Sequence, residues 1–152
     1  MEILVSLSAR DKSHLEPRIQ SGVVPYRYNM ETGEIEILMI RTKHANNWGL
    51  PKGGWEEHLT LVASALKEAD EEAGALGTPE DMIGTSEYVK GKTGRDQHVT
   101  WYLMHVRKLK TNYMEATTRD RKWVPIDKAM RKIDKGFRPI LKRALKILHK
   151  RY

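Results

Sequence analysis

Glu68, Glu71 and Glu72 follow one another at three- and four-residue steps, the spacing that brings side chains together on one side of a helix. Two such carboxylates about 6 Å apart repel by roughly 3 kcal/mol at an effective dielectric near 20. A hard cation turns that repulsion into coordination. Mg²⁺ and Mn²⁺ prefer carboxylate oxygens and keep waters that phosphate oxygens can replace. On an isolated helix the same three glutamates would simply be a solvated acidic face, so the residues before them matter. Lys52, Gly53 and Gly54 follow Pro51. Proline fixes the chain direction and the paired glycines let backbone groups approach a metal or a phosphate closely. Lys52 adds a point charge for a phosphate oxygen, and Trp55 follows beside it. The chemistry this points to is a divalent ion facing a pyrophosphate.

The glutamates need a rigid support, and the sequence supplies a helix. Val62, Ala65, Leu66, Ala69 and Ala73 recur at helical steps as one apolar stripe, with Gly74 as the stop and the three glutamates expected on the side away from it. Around this helix the pattern predicts strands at Val23 to Tyr28 and Ile35 to Ile40, separated by the Glu31 to Gly33 turn. Pro25 argues for an edge or a bulge in the first of them. Met82 to Lys90 and His98 to Leu109 read as a hairpin closed through Gly91 to Gly94. Trp123 to Ile126 reads as a short strand, and Asp127 to Ile133 and Pro139 to His149 as helices. Strands covered by helices on both faces make a layered α/β domain. At 152 residues a single domain spanning residues 1–152 is expected.

Residues 53 to 75 resemble the Nudix box, the signature of the Nudix hydrolases. It reads Gly, five residues, Glu, seven residues, Arg-Glu, a hydrophobe, any residue, Glu-Glu, any residue, Gly and a hydrophobe. Gly53, Glu68, Glu71, Glu72 and Gly74 match in register, and Ala69 and Ala75 fill the hydrophobic places. Two positions depart: Leu59 stands where the pattern has its first Glu, and Lys67 where it has Arg. Lys67 keeps the charge but not the planar fork. Leu59 leaves two alternatives, that Glu56 or Glu57 takes the role, or that fewer ligands serve a slower enzyme. The run WGLPKGGWE, Trp48 to Glu56, is similar to the diadenosine and diphosphoinositol polyphosphate hydrolase subgroup. The resemblance implies an α/β/α sandwich with a mixed sheet from about Val23 onward. It implies metal-assisted attack of water on a phosphoanhydride, with Mg²⁺ or Mn²⁺ held by Glu68, Glu71, Glu72 and a backbone carbonyl near Gly53. Lys67 would be the cation that orients the catalytic carboxylates, and Lys52, Gly53, Gly54 and Trp55 would meet the substrate. One glutamate would serve as base.

Charge is divided along the chain. Residues 106–152 hold sixteen Lys or Arg against four Asp or Glu, whereas residues 1–105 hold eleven against sixteen. A basic wall beside an acidic metal site attracts a polyanion, and the candidates are Lys90, Lys92 and Arg95 in the hairpin turn and Arg119, Arg121 and Lys122 before Trp123. About half of these bases are expected to be ordinary surface. The partner expected is therefore a small polyanion. Nucleic acid is a second, less favoured target of the same charge, and no membrane partner is expected. Among the other side chains, Glu115 is a candidate late metal ligand, and His44, His98 and His105 are more readily surface or core groups than acids or bases. Trp48, Trp101 and Trp123 either stack a base or fill the core. Without cysteine there are no disulfides or thiolate metal sites. No N-terminal apolar run suggests a signal peptide, so a soluble, cytoplasmic protein is expected. The resemblance favours a diadenosine or diphosphoinositol polyphosphate as substrate; the alternatives are a domain that kept the fold and binds a nucleotide or RNA without hydrolysis, and a 5′-RNA pyrophosphohydrolase.

Overall fold

The computed structural model describes residues 16–152; the first fifteen residues of the expected domain lie outside the described part. Six strands form one mixed sheet: β1 (Arg18–Asn29), β2 (Glu34–Thr42), β3 (Lys52–Gly54), β4 (Ala75–Val89), β5 (Asp96–Leu109) and β6 (Arg119–Pro125). Their order is β4-β5-β1-β2-β6, with β3 added to β1. Only β1 and β5 run parallel; the other pairs are antiparallel. Helix α1 (Leu61–Ala73) covers one face, and α2 (Ile126–Lys132) with α3 (Arg138–Arg151) the other. This is the expected α/β/α sandwich.

The two faces are packed differently. Toward α1 the sheet offers Val23, Leu38, Ile40 and Met104, and the helix answers with Ala65, Ala69 and Ala73, all fully buried. Alanines let the helix axis lie close to the strands, and a larger residue there would overpack at about 1–3 kcal/mol. The opposite face is filled by large side chains, with Ile140, Leu141, Ala144 and Leu148 of α3 packed under Ile37, Met39 and Trp101. Cutting one of those leucines to alanine should cost about 2–5 kcal/mol. Much of the basic C-terminal half is the outer face of α3, where Lys142, Lys146 and Lys150 are exposed, and Arg151 pairs with Glu80 and Asp81.

Pro25 sits in the most central strand, not at an edge or bulge. On one side β1 pairs with β5 throughout Arg18 to Tyr26. On its other side it changes partners, from β3 at Gln20 to Gly22 to β2 at Tyr26 to Asn29. The Val23 N–H points to that side and meets the Pro51 carbonyl at 3.0 Å. Two residues on, position 25 also faces it, in the gap between partners, where no donor is needed. β4 is longer than the sequence suggested. It begins at Ala75 and keeps pairing with β5 through register shifts at Leu76/Gly77, Pro79/Met82 and Met82/Gly84. Those bulges erase the two-residue period by which its first half would have been recognised. β3, expected as a loop, is a three-residue strand because β1 offers it an open edge before β2 begins.

Candidate active site

Helix α1 is fixed at both ends. Thr60 Oγ1 accepts the Ala63 N–H at 3.1 Å, a side-chain N-cap. Gly74, at φ 63°, closes the other end by donating to Asp70 O at 2.8 Å. The loop from β3 is tied down by the Glu56 N–H on Ser64 Oγ at 3.1 Å. β3 thereby lies across the helix with its glycines against the glutamates. A Cβ at Gly53 would fall 2.2 Å from the Glu68 carboxyl carbon, so glycine is required for that carboxylate to occupy its place.

The three glutamates are not equivalent. Glu71 is partly exposed and Glu68 half-buried, whereas Glu72, at 8% exposure, is buried. The expectation that all three point away from the apolar stripe fails for Glu72. Positions 65, 69 and 72 share one helical face, so the stripe of small residues ends in a carboxylate turned under β3. Glu72 Oε1 accepts the Lys52 N–H at 3.2 Å and Oε2 lies 3.5 Å from Arg119. Burial raises its pKa to about 7 despite the opposing pull of Arg119 and the Lys52 N–H. Glu68 is also raised, first by burial and then by the charges of Glu71 and Glu115.

The cations are arranged around these acids. Lys67 meets Glu56 at 2.5 Å and Glu71 at 3.7 Å, which puts Glu56 beside the helix carboxylates although Leu59 is not. Leu59 instead lines a hollow with Ala63, Leu66 and Met104. Arg119 pairs with Glu72 and with Glu115, and the Glu115 N–H donates to Glu71 O at 3.0 Å. Glu115 therefore joins the acidic group from outside the box. Lys52 donates to the Tyr88 hydroxyl at 2.8 Å, which donates to Gln20 at 2.9 Å. That chain fixes the lysine at the cleft wall and involves two residues no motif announced. Trp55, 40% exposed, folds its indole N–H back to Leu59 O at 2.8 Å. Gly54 packs against the Arg18 guanidinium.

The basic run of β6 is split by the pleat. Arg119 and Arg121 stand opposite Thr42 and Ile40, on the α1 face, while Lys122 stands opposite Met39 on the other. Arg121, expected to meet the substrate, has its guanidinium engaged within the fold, donating to Ala73 O at 2.6 Å and covering the Tyr113 ring at 4.6 Å. It caps a helix end. His44, His98 and His105 lie apart from the glutamates, with His105 stacked on Tyr26 and His98 near Glu87. Trp101 is a core residue, its indole N–H on Ser86 Oγ at 2.8 Å.

A cleft of about 320 Å³ runs round the ends of these strands, lined by Glu72, Arg119, Lys52, Arg41, Trp48 and Phe137 among others. A second hollow of about 330 Å³ adjoins it across Lys52, Asp134 and Phe137 and is walled by Tyr88, Val99 and Trp101. One is polar and cationic, the other largely aromatic. Among the described residues no three His, Cys, Asp or Glu side chains are gathered closely enough to hold a metal ion as they stand. The donors themselves are all oxygen, the chemistry a hard divalent ion selects.

The NUDIX domain model matches residues 18–144. The chain belongs to the Nudix family. Among curated relatives it is 34% identical over 128 residues to Nudix hydrolase 16, mitochondrial, of Arabidopsis thaliana, covering 74% of this chain and 71% of that protein. It is 32% identical to Nudix hydrolase 4 of the same plant, over 83% of this chain and 65% of that one. The fold matches the Ap4A hydrolase of C. elegans with a TM-score of 0.73 at 22% identity, over 88% and 98% of the two chains. It also matches the NUDIX domain of Shewanella oneidensis NrtR complexed with ADP ribose, TM-score 0.71 at 15% identity, over 97% and 99%. This Nudix chain thus carries the family's helix and glycine turn, with Leu59 and Lys67 as its own departures.

Proposed function

We propose that this protein is a Mg²⁺- or Mn²⁺-dependent hydrolase of a phosphoanhydride in a polyphosphorylated small molecule, with diphosphoinositol and diadenosine polyphosphates the favoured substrates. Family and fold support Nudix-type phosphoanhydride hydrolysis in general. The observation that carries the finer reading is the cleft whose wall sets the buried Glu72 among Lys52, Arg119 and Arg41. Glu68, Glu72, Glu71 and the Gly53 carbonyl would hold the metal, with Glu115 at their side. A bound divalent ion there polarises the phosphoanhydride and acidifies the attacking water.

The chain's own residues do the remaining work. Glu72, poised near neutrality by burial, is suited to take a proton from water. Lys67 keeps Glu71 and Glu56 in place. Lys52, held by Tyr88, and Arg119 present fixed positive charge to the phosphates, and such preorganised charge acts strongly in a partly dehydrated cleft. The aromatic hollow beyond Phe137 has room for the group attached to the phosphates.

The test is phosphate release with Mg²⁺ or Mn²⁺ from diadenosine polyphosphates, diphosphoinositol polyphosphates, ADP-ribose, nucleoside triphosphates and triphosphorylated RNA, run beside Glu72→Gln. Turnover of one class, reduced about 100-fold or more in the variant, is expected. A folded parent that binds these ligands without turning over any of them would favour a second reading, a Nudix-fold binding domain. Leu59 in the place of a box glutamate is the observation on that side.

A further inference from the structure

On the face of the sheet opposite α1, two cations stack on one tryptophan and a third stands beside them. The Arg41 guanidinium lies 4.5 Å and the Lys122 ammonium 4.4 Å from the Trp48 ring centre, and the Lys132 ammonium faces Lys122. Compensation is sparse. Asp120 answers Arg41 at 3.0 Å, and shares its other oxygen with Lys43 at 3.6 Å. Asp134, which also lines the cleft, is turned to the Gly136 N–H at 3.3 Å. Among the described residues neither Lys122 nor Lys132 has an acidic partner. Two ammonium groups without acidic partners, set beside a guanidinium whose one aspartate is shared with Lys43, repel one another, and the Lys122 pKa is lowered, by burial first and then by Lys132 and Arg41. Proteins hold such groups together where an anion completes them.

The cluster also has a direction. Arg41 and Trp48 belong to the wall of the same cleft as Glu72 and Arg119, but alternation along β6 sends Lys122 to the far side of the sheet from Arg119. Arg41 and Trp48 are thus where the cleft meets the cluster, and Lys122 and Lys132 lie beyond its lining, within reach of a ligand that extends past the glutamates and round the strand ends.

We infer that Arg41 and Lys122, stacked on Trp48, form with the neighbouring Lys132 a subsite for an additional phosphate of the substrate, one not joined by the bond that is cut. This rests on the hydrolase reading for what happens at the glutamate end, while the binding itself does not require it. A ligand with only two linked phosphates has none left for the cluster once both are held at the glutamates; one with further phosphates has. The extra phosphate comes either from a longer linear chain between nucleosides or from a ring bearing several phosphates.

The experiment separates binding from turnover. Calorimetry with inositol hexakisphosphate as the probe would compare the parent, Lys122→Gln/Lys132→Gln, and Lys142→Gln/Lys146→Gln, which removes the same charge from the outer face of α3. Loss of two charge-assisted contacts should weaken the first variant about tenfold or more, with the α3 variant within about twofold and melting temperatures alike. KM for diphosphoinositol pentakisphosphate and diadenosine pentaphosphate should rise with it, and KM for ADP-ribose by a much smaller factor. A rise confined to one of the two polyphosphates assigns the phosphate to the ring or to the linear chain. Unchanged affinity, an equal loss in the α3 variant, or an equal rise for ADP-ribose would overturn the subsite. Selective loss of hexakisphosphate binding in a parent that turns over nothing would retain the subsite and remove the hydrolase reading.

Discussion

Glu72 should leave a thermodynamic mark on the pH dependence of stability. Its carboxyl has a pKa raised from the ordinary 4.5 to about 7, chiefly by burial. The folded state therefore holds a proton that the unfolded chain releases earlier, and stability falls as pH rises wherever the folded state binds more protons. The contribution is complete below about pH 4.5, declines between there and about pH 7, and is gone above. A shift from 4.5 to about 7 corresponds to about 3 kcal/mol at 1.36 kcal/mol per unit. For a chain of this length that is about 10 °C in melting temperature.

Thermal unfolding in a chelating buffer, followed by circular dichroism from about pH 5 to about pH 8, measures it. The parent curve carries every other titrating group too, so the quantity of interest is the difference from Glu72→Gln. Glutamine keeps an oxygen for the Lys52 N–H and leaves Arg119 with a neutral partner, so the variant should be the less pH-dependent of the two and gain on the parent by about 3 kcal/mol across that window. Mg²⁺ should raise the parent's melting temperature most at the alkaline end, where the carboxylate is charged, and the variant's least. Parallel curves for parent and variant would refute the reasoning, since they would mean that Glu72 ionises in the fold as it does in water.

Two substitutions test the surroundings. In Gly53→Ala the new methyl collides with the end of the flexible Glu68 side chain and not with backbone; the melting temperature should hold within about 3 °C, while Mn²⁺ affinity measured by electron paramagnetic resonance falls about tenfold or more. Arg121→Ala removes a hydrogen bond from the end of α1 and should cost about 1–2 kcal/mol in urea unfolding, with KM for the substrate unchanged; a KM raised without loss of stability would return Arg121 to the substrate.

How far the sequence discloses this site depends on which physical rule governs each part. Helix α1, its glycine stop and its alanine stripe were legible because helical periodicity is local, and the close approach at Gly53 was legible because only glycine leaves room for it, although the strand that Gly53 belongs to was not. The burial of Glu72 was not, since it depends on β3 crossing the helix, an arrangement set by where β1 changes partners. The basic run from Arg119 to Lys122 looked like one patch in sequence. Had the two-residue alternation been applied to it, Arg119 and Lys122 would have been sent to opposite faces, but the strand's start was hidden by its charge. Tyr88, Arg41 and Lys132 carry no spacing signal at all. They meet the site only through strand pairing and the packing of α2.

The same geometry explains why the acids form no ready cage for a metal. Glu72 and Glu115 share Arg119, and Glu71 and Glu56 share Lys67, so each pair of carboxylates is held by a cation of the chain. Buried Glu72 with no cation beside it would carry the full cost of an unpaired charge, several kcal/mol; Arg119 reduces it. Lys67, a flexible point charge where the family pattern has a planar fork, releases its partners more readily than arginine would. Leu59 lines an apolar hollow with Met104 and Leu66 at the edge of Lys67, and Glu56 is the acid of the loop that is joined to the helix carboxylates through Lys67. It follows that Lys67→Ala should free Glu56 as well as Glu71, and that the affinity for the divalent ion proposed above would be set by competition with the two resident cations, rather than by the number of glutamates alone; tighter Mn²⁺ binding by Lys67→Ala in electron paramagnetic resonance is the expected outcome.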